Sequence, residues 1–319
     1  MIFNSDHYEK MRKLYRLSRL PLLYKLPTLD FHLISGEDAN NLILNVLEKN
    51  EPAMIARFGY GELRAVVMYA HILHKRFHAL PYIFGEGYEG WWAESVKNGM
   101  PIYNGFFPTT IENLNRFGAM MMEDMQALDI LASWVKREKY FEIELKHCKK
   151  IPLIDLDPYF HEKPWTRFLK GKKVLVVHPF EKSIQQQYAR REKLFQNPDI
   201  LPEFHLKTIP AVQTVAGNRA GYESWFDALE WMKHQIRQTD FDVAILGCGA
   251  YGFPLAAFVK SLGKKAIHLG GATQVLFGIK GSRWAERPEY AAMFNDYWVS
   301  PLEEEKPKNA EKVEGGCYW

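Results

Sequence analysis

"ILGCGAYGFPLAAFVKSLGKKAIHLGG", residues 245–271, places Gly247, Gly249 and Gly252 as G-x-G-x-x-G between a short apolar run and a helical pattern. Residues 242–247 read as a buried strand, 252–262 as a helix and 265–270 as another strand, which makes the stretch one strand–helix–strand unit. The alternation continues on both sides. Residues 172–180 and 204–212 read as strands, with helices over 182–195 and 222–238. Toward the amino terminus 38–49 reads as a helix, 53–59 as a buried strand, 61–75 as a helix and 109–126 as helical. Strands this apolar, separated by helices, imply a mostly parallel sheet covered on both faces. The expected fold is a doubly wound, Rossmann-like α/β architecture, with ligands beyond the carboxyl ends of the strands.

The 319 residues divide into a basic amino-terminal helical segment (1–30), a single α/β domain (31–300) and a flexible charged tail (301–319). A net charge of +3 is too mild to argue for nucleic acid. Cys148, Cys248 and Cys317 are far apart and form no zinc pattern, which fits a reducing cytoplasm. No run reaches the ~18 apolar residues of a membrane span. Residues 8–27 interleave Lys10, Arg12, Lys13, Arg16, Arg19 and Lys25 with Leu, Tyr and Met. This segment reads either as a terminal helix packing its Leu side on the body, or as a peripheral contact with an anionic inner membrane face.

At Gly247, Gly249, Tyr251 and Gly252 the chain leaves a strand for a helix, where backbone N–H groups and the helix dipole favour an anion. The alternative is that these glycines only allow close helix-to-strand packing. A dinucleotide fold would end its next strand in Asp or Glu to hold the ribose; here His268 and Gly270 stand there, against an NAD- or S-adenosylmethionine-dependent enzyme. Three further strand ends offer polar groups. His178 is a candidate base or hydrogen-bonder to a diphosphate, followed by Glu181 and Ser183. Gly270, Gly271, Thr273, Gln274, Lys280 and Arg283 form a basic segment suited to phosphate, and Gln213, Asn218 and Arg219 lie on a loop of similar polarity.

"IARFGYGELRAVVMY" sets Arg57 at a strand end and Glu62 at the start of a helix. R-F-G-x-G-E-L after a strand resembles the R-F-G-D-G-E motif of the bacterial GT-D-fold glycosyltransferases, which build surface glycans and polysaccharides from nucleotide-sugars. The resemblance implies a nucleotide-sugar donor, a glycan acceptor, and a divalent metal (Mn or Mg) held by a D-x-E pair. Glu62 matches the Glu; Tyr60 replaces the Asp, and a phenol is a poor ligand for a hard cation. Arg57, Lys280 and Arg283 are then candidates to neutralise the leaving diphosphate, and Glu62 to be metal ligand or base. Asp155 and Asp157 offer a second carboxylate site, and Tyr82, Phe84, Tyr88, Trp91 and Trp92 a platform for a sugar. A non-catalytic nucleotide-sugar or glycan binder stays open beside the enzyme.

Overall fold

A computed structural model describes residues 5–25, 31–87 and 89–319. Residues 26 and 27 of the basic segment, and Tyr88, lie outside the described residues. Seven parallel strands form one sheet in the order β3-β2-β1-β7-β6-β4-β5. They are β1 (Ala53–Ala56), β2 (Ile130–Ser133), β3 (Lys149–Pro152), β4 (Lys173–His178), β5 (His205–Pro210), β6 (Val243–Leu246) and β7 (Lys265–His268). The principal helices are α1 (Ser5–Leu17), α2 (Glu37–Glu48), α3 (Tyr60–Leu73), α4 (Ala79–Phe84), α5 (Glu94–Gly99), α6 (Ile111–Asp124), α7 (Glu181–Tyr188), α8 (Trp225–Gln238), α9 (Gly252–Ser261) and α10 (Ala272–Leu276). The doubly wound α/β expectation holds.

Period-two alternation splits the strands between two cores. Met54, Ala56, Leu175, Val177, Ala244 and Leu246 face one side, packed by α3, α6, α8 and α9. Ile55, Val174, Val176, Ile245 and Ile267 face the other, under α2, α7 and α10. Steps toward the β3 edge cross the first face and steps toward the β5 edge the second, as right-handed crossovers require. One consequence positions the site. Across the neighbours β1, β7, β6, β4 and β5 the chain exits alternately to opposite faces, so the loops splay apart and leave a furrow over their carboxyl ends.

Two acids sit badly in water-poor surroundings. Burial pushes the Asp157 carboxyl up to about 7, and it holds the Tyr290 hydroxyl; burial does the same to Asp124. Both bind protons more tightly folded than unfolded, where a carboxyl titrates at about 3.9. The stability they contribute is complete below that value and is lost as pH rises toward about 7. The melting temperature is therefore expected to fall as pH rises from 4 to 7, by ~2–4 °C for each kcal/mol lost. Asp157→Asn should flatten the profile; an unchanged slope would show that Asp157 does not cause it.

Candidate functional site

The furrow contains a cavity of about 520 Å³, within the roughly 300–1,000 Å³ of small-molecule sites. From β1 the chain delivers Arg57, half-buried, its guanidinium 4.9 Å from the Trp134 ring centre. Trp134 is pinned by its Nε1–H donating to the Phe58 carbonyl at 2.8 Å. The buried Glu138 carboxylate, accepting from the Trp134 and Val135 N–H groups at 3.2 and 3.1 Å, holds that loop.

The glycines of R-F-G-Y-G-E now have a reason. A Cβ at Gly59 would lie 1.8 Å from Glu62 Oε2, and one at Gly61 would lie 2.5 Å from Asn104 Oδ1. Their absence lets the Glu62 carboxylate fold back over the turn, in the first turn of α3, with Asn104 beside it. Burial raises the Glu62 pKa above the ordinary carboxylate value, and Arg57 and Asn104 offset part of the rise. Burial lowers that of Arg57 while Glu62 supports it, and the guanidinium stays charged.

G-x-G-x-x-G turns out to hold three glycines with different work. A Cβ at Gly247 would meet His178 Cδ2 at 2.5 Å and Thr273 Oγ1 at 2.6 Å, and one at Gly252 would sit 2.0 Å from His268 Cε1. Gly252 serves packing, while Gly247 makes room for His178 and Thr273 and also lines the cavity. Gly249 has φ +56°, and its Cβ would meet nothing within 4 Å, so here the bend lies open to the cavity. Tyr251 reaches the cavity but is mostly core, stacked on Trp225 at 4.7 Å with its hydroxyl 2.7 Å from Thr214 Oγ1.

Both histidines are buried and neutral. Burial pushes His178 down to about 3; its Nδ1 accepts from the Phe180 N–H at 2.9 Å, leaving the hydrogen on Nε2. His178 is thus a donor in the cavity wall, which corrects its reading as a base. His268, lowered to about 3 by burial and by the Arg57 charge, points Nδ1 at the Leu246 carbonyl at 3.1 Å. At Gly270, φ +63°, a Cβ would come 3.4 Å from Arg57 Nη1, so the β7 turn lies against the β1 arginine. Gly271, Gln274 and Arg283 complete this wall.

Several candidates lie elsewhere. Lys280 turns away, its ammonium 5.8 Å from the Phe294 ring centre; Thr273 is buried behind Gly247. Asn218 and Arg219 line a separate cleft with Phe107 and Pro108, while Gln213 of the same loop does reach the cavity. Asp155 accepts from the Gly36 N–H at 2.8 Å and Asp157 holds Tyr290, so both are structural. Tyr82, Phe84 and Trp91 pack α1 and Trp92 donates to Asn115 at 2.9 Å; none lines the cavity.

The tail supplies the largest correction. Residues 301–319 form 3-10 turns rather than a loose end. Buried Glu305 accepts from the Lys182 and Ser183 N–H groups at 2.7 and 3.2 Å, capping α7 with the protein's own carboxylate. Farther on, Val313, Glu314, Tyr318 and Trp319 line the cavity, and Glu314 pairs with Arg283. Among the described residues, Gln213 Oε1, Gln274 Oε1 and Trp319 Nε1 are buried in this lining without a hydrogen-bond partner. The wall has polar capacity to spare.

The residues fit a resident metal poorly. Among the described residues no three His, Cys, Asp or Glu side chains converge as ligands. Of the two cavity carboxylates, Glu314 is taken by Arg283 and Glu62 lies within the field of Arg57. Tyr60 is 53% exposed, with the Arg137 guanidinium 4.4 Å from its ring centre, and a phenol is a poor ligand for a hard cation.

No protein-family model matches the chain, and no curated protein matches it. Two solved structures are similar in backbone path. One is a selenomethionine-substituted domain of unknown function 1792 (DUF1792), 13% identical, with 83% of this chain and 82% of that chain covered and a TM-score of 0.41. The other, described as the highly conserved domain of unknown function 1792 with a distinct glycosyltransferase fold, is 12% identical, with 82% and 81% covered and a TM-score of 0.38. Both likenesses are weak, and neither brings a substrate or a residue role to this chain.

Proposed function

We propose that this protein is a glycosyltransferase that takes a nucleotide-sugar into the cavity and passes the sugar to a hydroxyl of a glycan acceptor. The observation that supports it best is the convergence of Arg57, Glu62, the open Gly249 bend and the Gly270 turn on one cavity, from β1, β6 and β7. Transfer needs a grip on the diphosphate, relief of its growing charge, and a base. Arg57 and the His178 Nε2–H face that charge, and Arg283 joins them when the diphosphate displaces Glu314. Glu62 takes the acceptor's proton as its oxygen bonds to the anomeric carbon and the bond from that carbon to the diphosphate breaks. Tyr60 and Tyr103, exposed at the cavity rim, offer the acceptor sugar ring faces in place of the aromatic loop.

Calorimetric titration with nucleoside diphosphates, NADH and S-adenosylmethionine, with and without manganese, tests the reading. A nucleoside diphosphate is expected to bind alone of the three, with an affinity that manganese leaves unchanged. Gly249→Ala should weaken it about tenfold, ~1.4 kcal/mol, by pushing a methyl into the open bend. Binding of NADH or S-adenosylmethionine instead would replace the proposal with a different enzyme class. Nucleotide-sugar binding without transfer to any acceptor would make the protein a binder only.

A further inference from the structure

Of the two placements open to the amino-terminal helix, the structure has the one that leaves its leucines off the body. α1 packs on the body through Tyr8, Arg12 and Tyr15: Tyr8 meets Phe77 at 5.2 Å, Tyr15 meets Phe84 at 5.0 Å, and the Arg12 guanidinium lies 4.3 Å from the Tyr82 ring centre and 3.4 Å from Glu89. The leucines are left outside. Leu14, Leu17, Leu20 and Leu23 are 67%, 69%, 59% and 68% exposed, Lys10 and Lys13 are exposed beside them, and Leu17 and Lys13 also border the cleft between α1 and the body. Residues 5–25 carry six Lys and Arg against Asp6 and Glu9, more than the whole chain's surplus of +3.

We infer that this surface, α1 with the following residues 18–25, docks on an anionic phospholipid bilayer. Four exposed leucines within ten positions, two on α1 and two just after it, form more apolar surface than a monomer scatters by chance along one short segment. An apolar insertion flanked by long cationic side chains, whose stems can lie along the acyl boundary while their charges reach the headgroups, fits a bilayer interface. Charge decides among partners: a neutral apolar protein groove would not call for Lys10, Lys13, Arg19 and Lys25 around the leucines, whereas an anionic leaflet attracts them together. No helix among the described residues is long and apolar enough to cross a membrane, so the contact is interfacial. It also adjoins the site: Ser95 lines both the cavity and the cleft beneath α1, and its hydroxyl accepts from Arg64 at 2.9 Å.

Sedimentation of the full chain with phosphatidylcholine vesicles, with and without phosphatidylglycerol, tests this. The protein is expected to pellet with the anionic vesicles only, and less as salt rises. Lys10→Glu with Lys13→Glu should weaken binding at least tenfold, since each cation near the surface is worth about fivefold. Replacing the four leucines with Ser should abolish it while circular dichroism stays that of the wild type, because all four are solvent-exposed. Glu62→Gln should pellet like the wild type, which keeps this result separate from the fate of the glycosyltransferase reading. The inference fails if the wild type ignores anionic vesicles, if it binds neutral ones equally, or if the leucine changes leave binding intact. It also fails if those changes instead turn a dimer into a monomer, which would give the face to a second copy of the chain.

Discussion

Glu62→Gln is expected to leave the protein folded and able to bind nucleoside diphosphate with wild-type affinity, while lowering sugar transfer by about 10²–10⁴-fold, the usual worth of a positioned base. Gln keeps the shape and can still lie over Gly59 beside Asn104, but it cannot take a proton. Because burial raises the carboxyl's pKa, the acid limb of kcat/KM should lie above the ordinary Glu value of about 4.3. Activity should rise with pH as Glu62 ionises, and that limb should vanish in the variant. The split between binding and turnover matters: a metal or diphosphate ligand at this position would lose affinity, and a merely structural acid would leave kcat unchanged. Either result would remove Glu62 from the proton transfer.

Gly252→Ala should be severely destabilising although it sits in a motif usually associated with ligand. The methyl would fall 2.0 Å from His268 Cε1 and 2.3 Å from Nδ1, inside a ring tethered to the Leu246 carbonyl. Overpacking of this kind costs about 1–3 kcal/mol, and freeing a buried imidazole N–H about as much again. The expected loss of ~3–5 kcal/mol is a large part of the ~5–15 kcal/mol that keeps a domain folded. Denaturant midpoints would measure it. Adding His268→Ala to the variant should recover part of the loss by emptying the space the methyl needs. If the two changes simply add, the ring is not the obstacle.

The regular half of the chain was legible because its strands and helices each bury a full face. The readings at 53–59, 172–180, 204–212, 242–247 and 265–270 coincide with β1, β4, β5, β6 and β7 to within a few residues. β2 and β3 escaped notice because they are joined by 3-10 turns rather than by a helix whose period would have framed them. Trp134 and Asn104 escaped with them; the one available signal was an aromatic residue directly after the short apolar run 130–133. The tail misled by composition. Its charges look solvated one by one, yet Glu305 caps a helix more than a hundred residues away and Glu314 meets Arg283.

The sequence by itself determined the class of fold and the places where chemistry could be sought, because hydrophobic period, glycine and strand ends are local properties of the chain. Only the tertiary structure decided which of those places share a cavity, which glycine faces open space, and which way the amino-terminal helix turns its leucines. These depend on strand order and on alternating exits to opposite faces, and the energies that select them, burial and steric contact, arise between residues far apart in sequence.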